Sequence, residues 1–92
     1  MIRSFLDSET EGVFKGIRSR KFQAVERIAM RKLFQLDAAK SLQDLKSPPG
    51  NQLKELAGDR KGQHSIRIND QFRVCFVWTA QGPKDVEIMN YH

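Results

Sequence analysis

Apolar and polar positions change period once along this 92-residue chain, dividing it into a helical first half and a stranded second half. Phe22, Val25, Ala29, Leu33 and Leu36 recur at spacings of three and four, which sets them on one stripe and predicts the chain's best helix. Arg27 and Arg31, four apart, share the opposite face. Upstream, Ser8-Glu9-Thr10-Glu11 matches a capping box, with the Ser8 hydroxyl accepting an amide and Glu11 reaching back. The helix opened there contains Gly12 and Gly16, each costing about 1 kcal/mol relative to alanine, so it should be short. Residues 1–6 read as a short strand. Residues 37–45 add a further turn before Ser47-Pro48-Pro49-Gly50 ends helical structure.

Beyond that breaker the period is two. Residues 64–68, 72–78 and 86–91 alternate, with Asn69-Asp70-Gln71 and Gln81-Gly82-Pro83 as turns between them. The expected fold class is therefore α+β in the order β-α-α-β-β-β, with two helices covering one face of a small, mainly antiparallel sheet. A chain of this length has room for one domain, here residues 1–92.

Register turns the strands into a candidate site. Cross-strand partners share a face, and a one-residue slip would turn every apolar side chain outward. Keeping Ile66, Ile68, Phe72, Val74, Phe76, Val86 and Ile88 together requires pairing Ile68 with Phe72 and Val74 with Ile88. Arg67 then falls opposite Arg73, Arg73 beside Met89, and Gln71 opposite Tyr91. Arg67, Gln71, Arg73 and Tyr91 emerge away from the core at one end of the sheet, and His92 follows immediately. Two facing guanidiniums repel by about a few tenths of a kcal/mol. An anion between them would relieve that.

Charge adds a second surface. The sixteen Lys and Arg residues exceed the eleven Asp and Glu residues, giving +5. Most of the excess lies between positions 15 and 32, where Lys15, Arg18, Arg20, Lys21, Arg27, Arg31 and Lys32 face Glu26 alone. Such a stripe suits a polyanion, because each neutralised phosphate releases counterions; a solvated helix face or an acidic protein partner would look the same. The longest apolar run, Val74 to Trp78, is too short to span a membrane, and the opening residues are too short an apolar run for a secretory signal. With Cys75 as the one cysteine, a reduced, cytoplasmic setting is expected.

The residue types on the sheet face suit metal-free RNA cleavage. Arg67 and Arg73 can hold a phosphodiester and stabilise the charge growing on its oxygens. Tyr91 offers a phenol and a ring that stacks on a base. His92 has the only nearby side chain that titrates close to neutrality, which makes it the natural proton carrier. No H-E-x-x-H, Cys/His spacing, P-loop or Gly-x-Gly-x-x-Gly occurs, so no metal or cofactor is expected. Cys75, in mid-strand, reads as packing rather than nucleophile.

The run from Gly58 to Phe76, Gly58-Asp59-Arg60-Lys61-Gly62-Gln63-His64-Ser65-Ile66-Arg67-Ile68-Asn69-Asp70-Gln71-Phe72-Arg73-Val74-Cys75-Phe76, resembles the HigB toxins of the RelE/ParE superfamily. So do the ending Val86-Glu87-Ile88-Met89-Asn90-Tyr91-His92, the opening Met1-Ile2-Arg3-Ser4-Phe5 and the Ser47-Pro48-Pro49-Gly50 loop. The resemblance implies a microbial-RNase-like fold and the toxin of a bacterial type II toxin–antitoxin system. It implies cleavage of mRNA in the ribosomal A site, and a HigA-like helix-turn-helix antitoxin through which alone operator DNA is bound. Carried over by position, it makes Arg73, Tyr91 and His92 catalytic and Gln71 a base contact. Lys54, Arg60, Lys61 and Arg67 would hold RNA phosphates. Asn90 stands where relatives carry Asp; it can orient His92 but cannot act as a base at neutral pH. Arg27, Arg31 and their neighbours would attach the protein to the ribosome. Two other classes compete: a non-enzymatic inhibitor of gyrase like the ParE branch, and a basic RNA-binding module without catalysis.

Overall fold

The computed structural model describes residues 1–91, and its elements follow the change of period. Helix α1 (Ser8–Phe14) is short, as its glycines require. It begins one residue earlier than the capping box implies. Asp7 is the cap: its backbone is extended and its Oδ1 accepts the Thr10 amide at 2.7 Å. A carboxylate satisfies a first-turn donor as well as a hydroxyl does, and its charge is favoured by the helix dipole. Gly16, at φ +81°, then turns the chain in a conformation that costs glycine little. A 3₁₀ turn (Gln23–Val25) leads into α2 (Glu26–Ala38). The predicted stripe of Phe22, Val25, Ala29, Leu33 and Leu36 is buried throughout. A second 3₁₀ turn, Leu42–Lys46, supplies the extra turn expected before the prolines.

Four antiparallel strands follow in sheet order β1-β2-β3-β4: β1 (Lys54–Glu55), β2 (His64–Arg67), β3 (Phe72–Thr79) and β4 (Gly82–Asn90). The predicted register is observed. Ile66 pairs with Val74, Arg67 with Arg73, Val74 with Ile88 and Arg73 with Met89. Asn69 sets the turn that fixes it, because its Oδ1 accepts from the amides of Gln71 and Phe72, both at 2.8 Å. Ile66, Val74, Phe76, Val86 and Ile88 consequently point at the α2 stripe, and together they form the core.

Two elements differ from expectation. Residues 1–6 do not form a strand; Phe5 makes one isolated parallel bridge to Val86, beside hydrogen bonds from Arg3 N to the Pro83 carbonyl and from Leu6 N to the Val86 carbonyl. This segment covers the outer edge of β4, which would otherwise expose unpaired backbone groups. Strand β1, at two residues, is too short to carry a periodic signal. No helix among the described residues is long and apolar enough to cross a membrane.

A buried hydroxyl joins the two layers. Thr10 Oγ1 donates to Asp7 Oδ2 at 3.1 Å and accepts the Ile88 amide at 2.9 Å, so the first turn of α1 completes the hydrogen bonding of β4. Thr10→Val keeps the shape but leaves the Ile88 N–H and one Asp7 oxygen without that partner. It should destabilise the fold by about 1–3 kcal/mol, read from the midpoint of urea unfolding, while Thr10→Ser retains most of the stability. An unchanged midpoint in the valine variant would show that the bond contributes nothing.

Candidate functional site

Strand alternation builds the site on the sheet face away from the helices. Lys54, Ser65, Cys75 and Glu87 form one cross-strand row, and Arg67, Arg73 and Met89 form the next. The open end carries Gln71 and Tyr91, where the Tyr91 amide donates to the Gln71 carbonyl at 3.0 Å. At that end a cleft of about 400 Å³ lies between Lys21, Phe22, Gln71, Phe72, Glu87 and Met89. A depression of about 440 Å³ lies beside α2 between Arg18, Gln23, Glu26, Arg27 and Met30.

Arg73 is the centre of the arrangement and is only 7% exposed. Its Nε donates to Ser65 Oγ at 2.6 Å, and its Nη2 donates to the Gln52 carbonyl at 2.5 Å and more weakly to the Ser65 carbonyl at 3.4 Å. One edge of the guanidinium is thereby fastened. The Nη1 edge has no hydrogen-bond partner among the described residues, and the Cζ atom lies 5.9 Å from the centroid of the Tyr91 ring. The expected face-to-face pair of guanidiniums is therefore resolved differently. Arg67 turns to Asp70 in the adjoining turn, and Arg73 turns to Ser65 and Gln52. Local acceptors relieve the repulsion, so no intervening anion is needed to explain the pairing. Asp70 is almost fully solvent-exposed, and such an ion pair is worth little.

Tyr91 is 39% exposed, and its hydroxyl donates to the Asn69 carbonyl at 2.8 Å. The phenolic proton is thus committed to the β2–β3 turn. Gln71, Lys54 and Lys61 are exposed. Arg60 is more constrained: it pairs with Glu87 at 2.7 Å and donates to Gln63 at 3.1 Å. The Glu87 carboxylate favours the charged guanidinium further. Asn90 pairs with Phe72 and so belongs to the helix side of the sheet, apart from Arg73 and Tyr91. His64 also lies on the helix side, stacked on Phe76. His92 lies outside the described residues.

The basic stripe divides. Arg18, Arg20, Lys21, Arg27 and Arg31 are exposed and form no ion pair among the described residues. Lys15 pairs with Glu11 at 3.1 Å. Lys32 is only 6% exposed, with its Nζ on Asn51 Oδ1 at 2.5 Å. Burial, with smaller contributions from Arg31 and Arg67, pushes its pKa below the usual lysine value. Position 32 belongs to the same helical stripe as Ala29 and Leu36, a signal that its charge obscures. Ser65 could have been read from alternation with Arg67. Gln52 could not, because it acts through its backbone. Among the described residues no group of three His, Cys, Asp or Glu side chains is placed to hold a metal ion.

A family model for the RelE-like toxin HigB of type II toxin–antitoxin systems matches residues 3–92. The chain belongs to that HigB-like toxin family. It is similar to a Vibrio cholerae protein named Toxin HigB-1, with 47% identity over 55 residues that cover 60% of this chain and 58% of that protein. An uncharacterised Haemophilus influenzae protein is 36% identical over 50 residues, covering 54% of this chain and 50% of that one. The chain thus spans little more than half the length of the relatives it matches.

Cys75 sits in the middle of the candidate face, fully buried, and its thiol is pushed up to about 11 because burial penalises the thiolate. At pH 8 it is neutral. Labelling of the native protein with a disulfide reagent at that pH should run at least about 100-fold slower than labelling in urea, and should accelerate only as pH approaches 11. Native labelling as fast as unfolded labelling would contradict the burial assigned to this thiol.

Proposed function

We propose that this chain is a metal-free endoribonuclease that cleaves mRNA in the ribosomal A site and thereby stops translation. The observation that carries the reading is Arg73. It is a charged group removed from water and fastened along one edge, paired across the strands with Arg67 and near the Tyr91 ring. A guanidinium held this way can take a phosphodiester without reorganising, and it stabilises the charge that grows as a 2′-oxygen attacks phosphorus. The 2′-hydroxyl proton passes to water, the P–O5′ bond breaks, and a general acid protonates the departing oxygen. The products are a 2′,3′-cyclic phosphate and a 5′-hydroxyl.

His92 is assigned the general acid role. Tyr91 contributes its ring as a stacking surface and its phenolic oxygen as an acceptor, since its proton is held at Asn69. Gln71, exposed at the same end, contacts a base. Lys54, Lys61 and Arg67 line the path of the phosphates, with Arg60 held behind them by Glu87. Asn90 acts only from the far side of the sheet edge, by orienting the residues that follow it. Arg27 and Arg31, on the exposed face of α2, attach the protein to ribosomal RNA, and a HigA-like antitoxin is the protein partner. Membership of a toxin family whose model spans nearly the whole chain supports the assignment.

His92→Ala should lower translation-dependent mRNA cleavage by about 10²- to 10⁴-fold without changing the melting temperature, the loss expected for one acid–base group. Primer extension on a translated message measures it. Full cleavage by the variant would remove His92 from the mechanism.

A further inference from the structure

Two buried polar side chains, Lys32 on α2 and Asn51 in the turn ahead of β1, point to a device that sets the position of Arg73. Lys32, on α2, donates to Asn51 Oδ1 at 2.5 Å. Asn51 is fully buried, and its Nδ2 donates to the carbonyls of Leu45 and Ser47, both at 3.2 Å. Its backbone amide donates to the Pro48 carbonyl at 2.9 Å. Every polar group of the Asn51 side chain is therefore used, and all of its partners lie in α2 or in the segment 45–48. The next residue, Gln52, is left-handed at φ 45° and ψ 56°, a conformation that a non-glycine residue holds only when its surroundings impose it. In that conformation its carbonyl accepts from Arg73 Nη2 at 2.5 Å. Burying a lysine against a single amide is unfavourable by itself, and apolar residues are more stabilising fillers of such a site. The arrangement makes sense through what it holds.

We infer that Lys32 and Asn51 are positioning residues for Arg73: they lock Gln52 in its left-handed conformation, so that the Gln52 carbonyl and Ser65 together hold the guanidinium with its Nη1 edge toward the substrate. Neither touches RNA. The inference rests on the ribonuclease reading for its effect on rate, but the geometry it asserts can be observed without any substrate.

Two variants and two readouts test it. Asn51→Ala removes the hub, and Lys32→Met keeps the apolar stem of the lysine while removing its Nζ. In the wild type the Arg73 Nε–H, bonded to Ser65, should give a distinct, slowly exchanging NMR resonance. In both variants that resonance should broaden or move to the position of a solvated arginine. Cleavage should fall about 10- to 100-fold, mainly in kcat rather than KM, as expected when a transition-state group is misplaced by an ångström or less. In an Arg73→Ala background the same changes should cost less than about twofold, because their effect runs through Arg73. An unchanged Arg73 resonance in folded Asn51→Ala or Lys32→Met overturns the inference. So do losses that multiply with those of Arg73→Ala. A wild type that shows the resonance but cleaves no RNA refutes the ribonuclease reading and leaves the positioning intact.

Discussion

Val74 lies opposite Ile66 on one side and Ile88 on the other, and this pairing decides which side of the sheet every other side chain of the site occupies. With those three residues buried against α2, strand alternation leaves no choice for their neighbours. Arg67, Arg73 and Met89 must emerge on the opposite face, and Ser65, Cys75 and Glu87 must flank them. A slip of one residue would expose the core and bury the arginines together. The apolar energy of the core thus enforces the geometry of the polar face.

What the core does not dictate is how a guanidinium is kept productive once most of it is out of water. Arg73 could satisfy itself with any nearby acceptor. Ser65 Oγ and the Gln52 carbonyl occupy one edge, and the Tyr91 ring lies nearby. Tyr91 is itself tied through its hydroxyl to the Asn69 carbonyl, and Asn69 organises the turn that sets the register. The same turn therefore fixes both the pairing of the strands and the ring beside Arg73. The stability of the fold and the geometry of the candidate site draw here on one set of hydrogen bonds.

Much of this is legible in the residues alone. The helical stripe from Phe22 to Leu36, the three-residue turn and the pairing of Arg67 with Arg73 follow from periods of 3.6 and 2 and from the rule that cross-strand partners share a face. Three features are not legible, each for a physical reason. Lys32 looks like part of a solvated basic stripe because its charge says nothing about Asn51, nineteen positions away, which satisfies it. Gln52 contributes a carbonyl, and backbone acceptors leave no mark in side-chain type. The short segment near Phe5 pairs with β4 through a single bridge, a contact set by tertiary packing rather than by its own alternation. The repulsion between Arg67 and Arg73 is real at the level of register, and it is relieved by Asp70 in the adjoining turn and by Ser65, which alternation places on the same face.

The proposed activity is cleavage of RNA on the outer face of the sheet through the neighbouring 2′-hydroxyl, with Arg73 on the phosphate. Its most direct test is the chemistry of the fragment ends after the purified protein acts on mRNA held in translating ribosomes. Mass spectrometry should find a 2′,3′-cyclic phosphate, or the 3′-phosphate formed by its hydrolysis, on one fragment and a 5′-hydroxyl on the other. Fragments ending in a 3′-hydroxyl and a 5′-phosphate would contradict the account, because those ends require water rather than the 2′-oxygen to attack phosphorus.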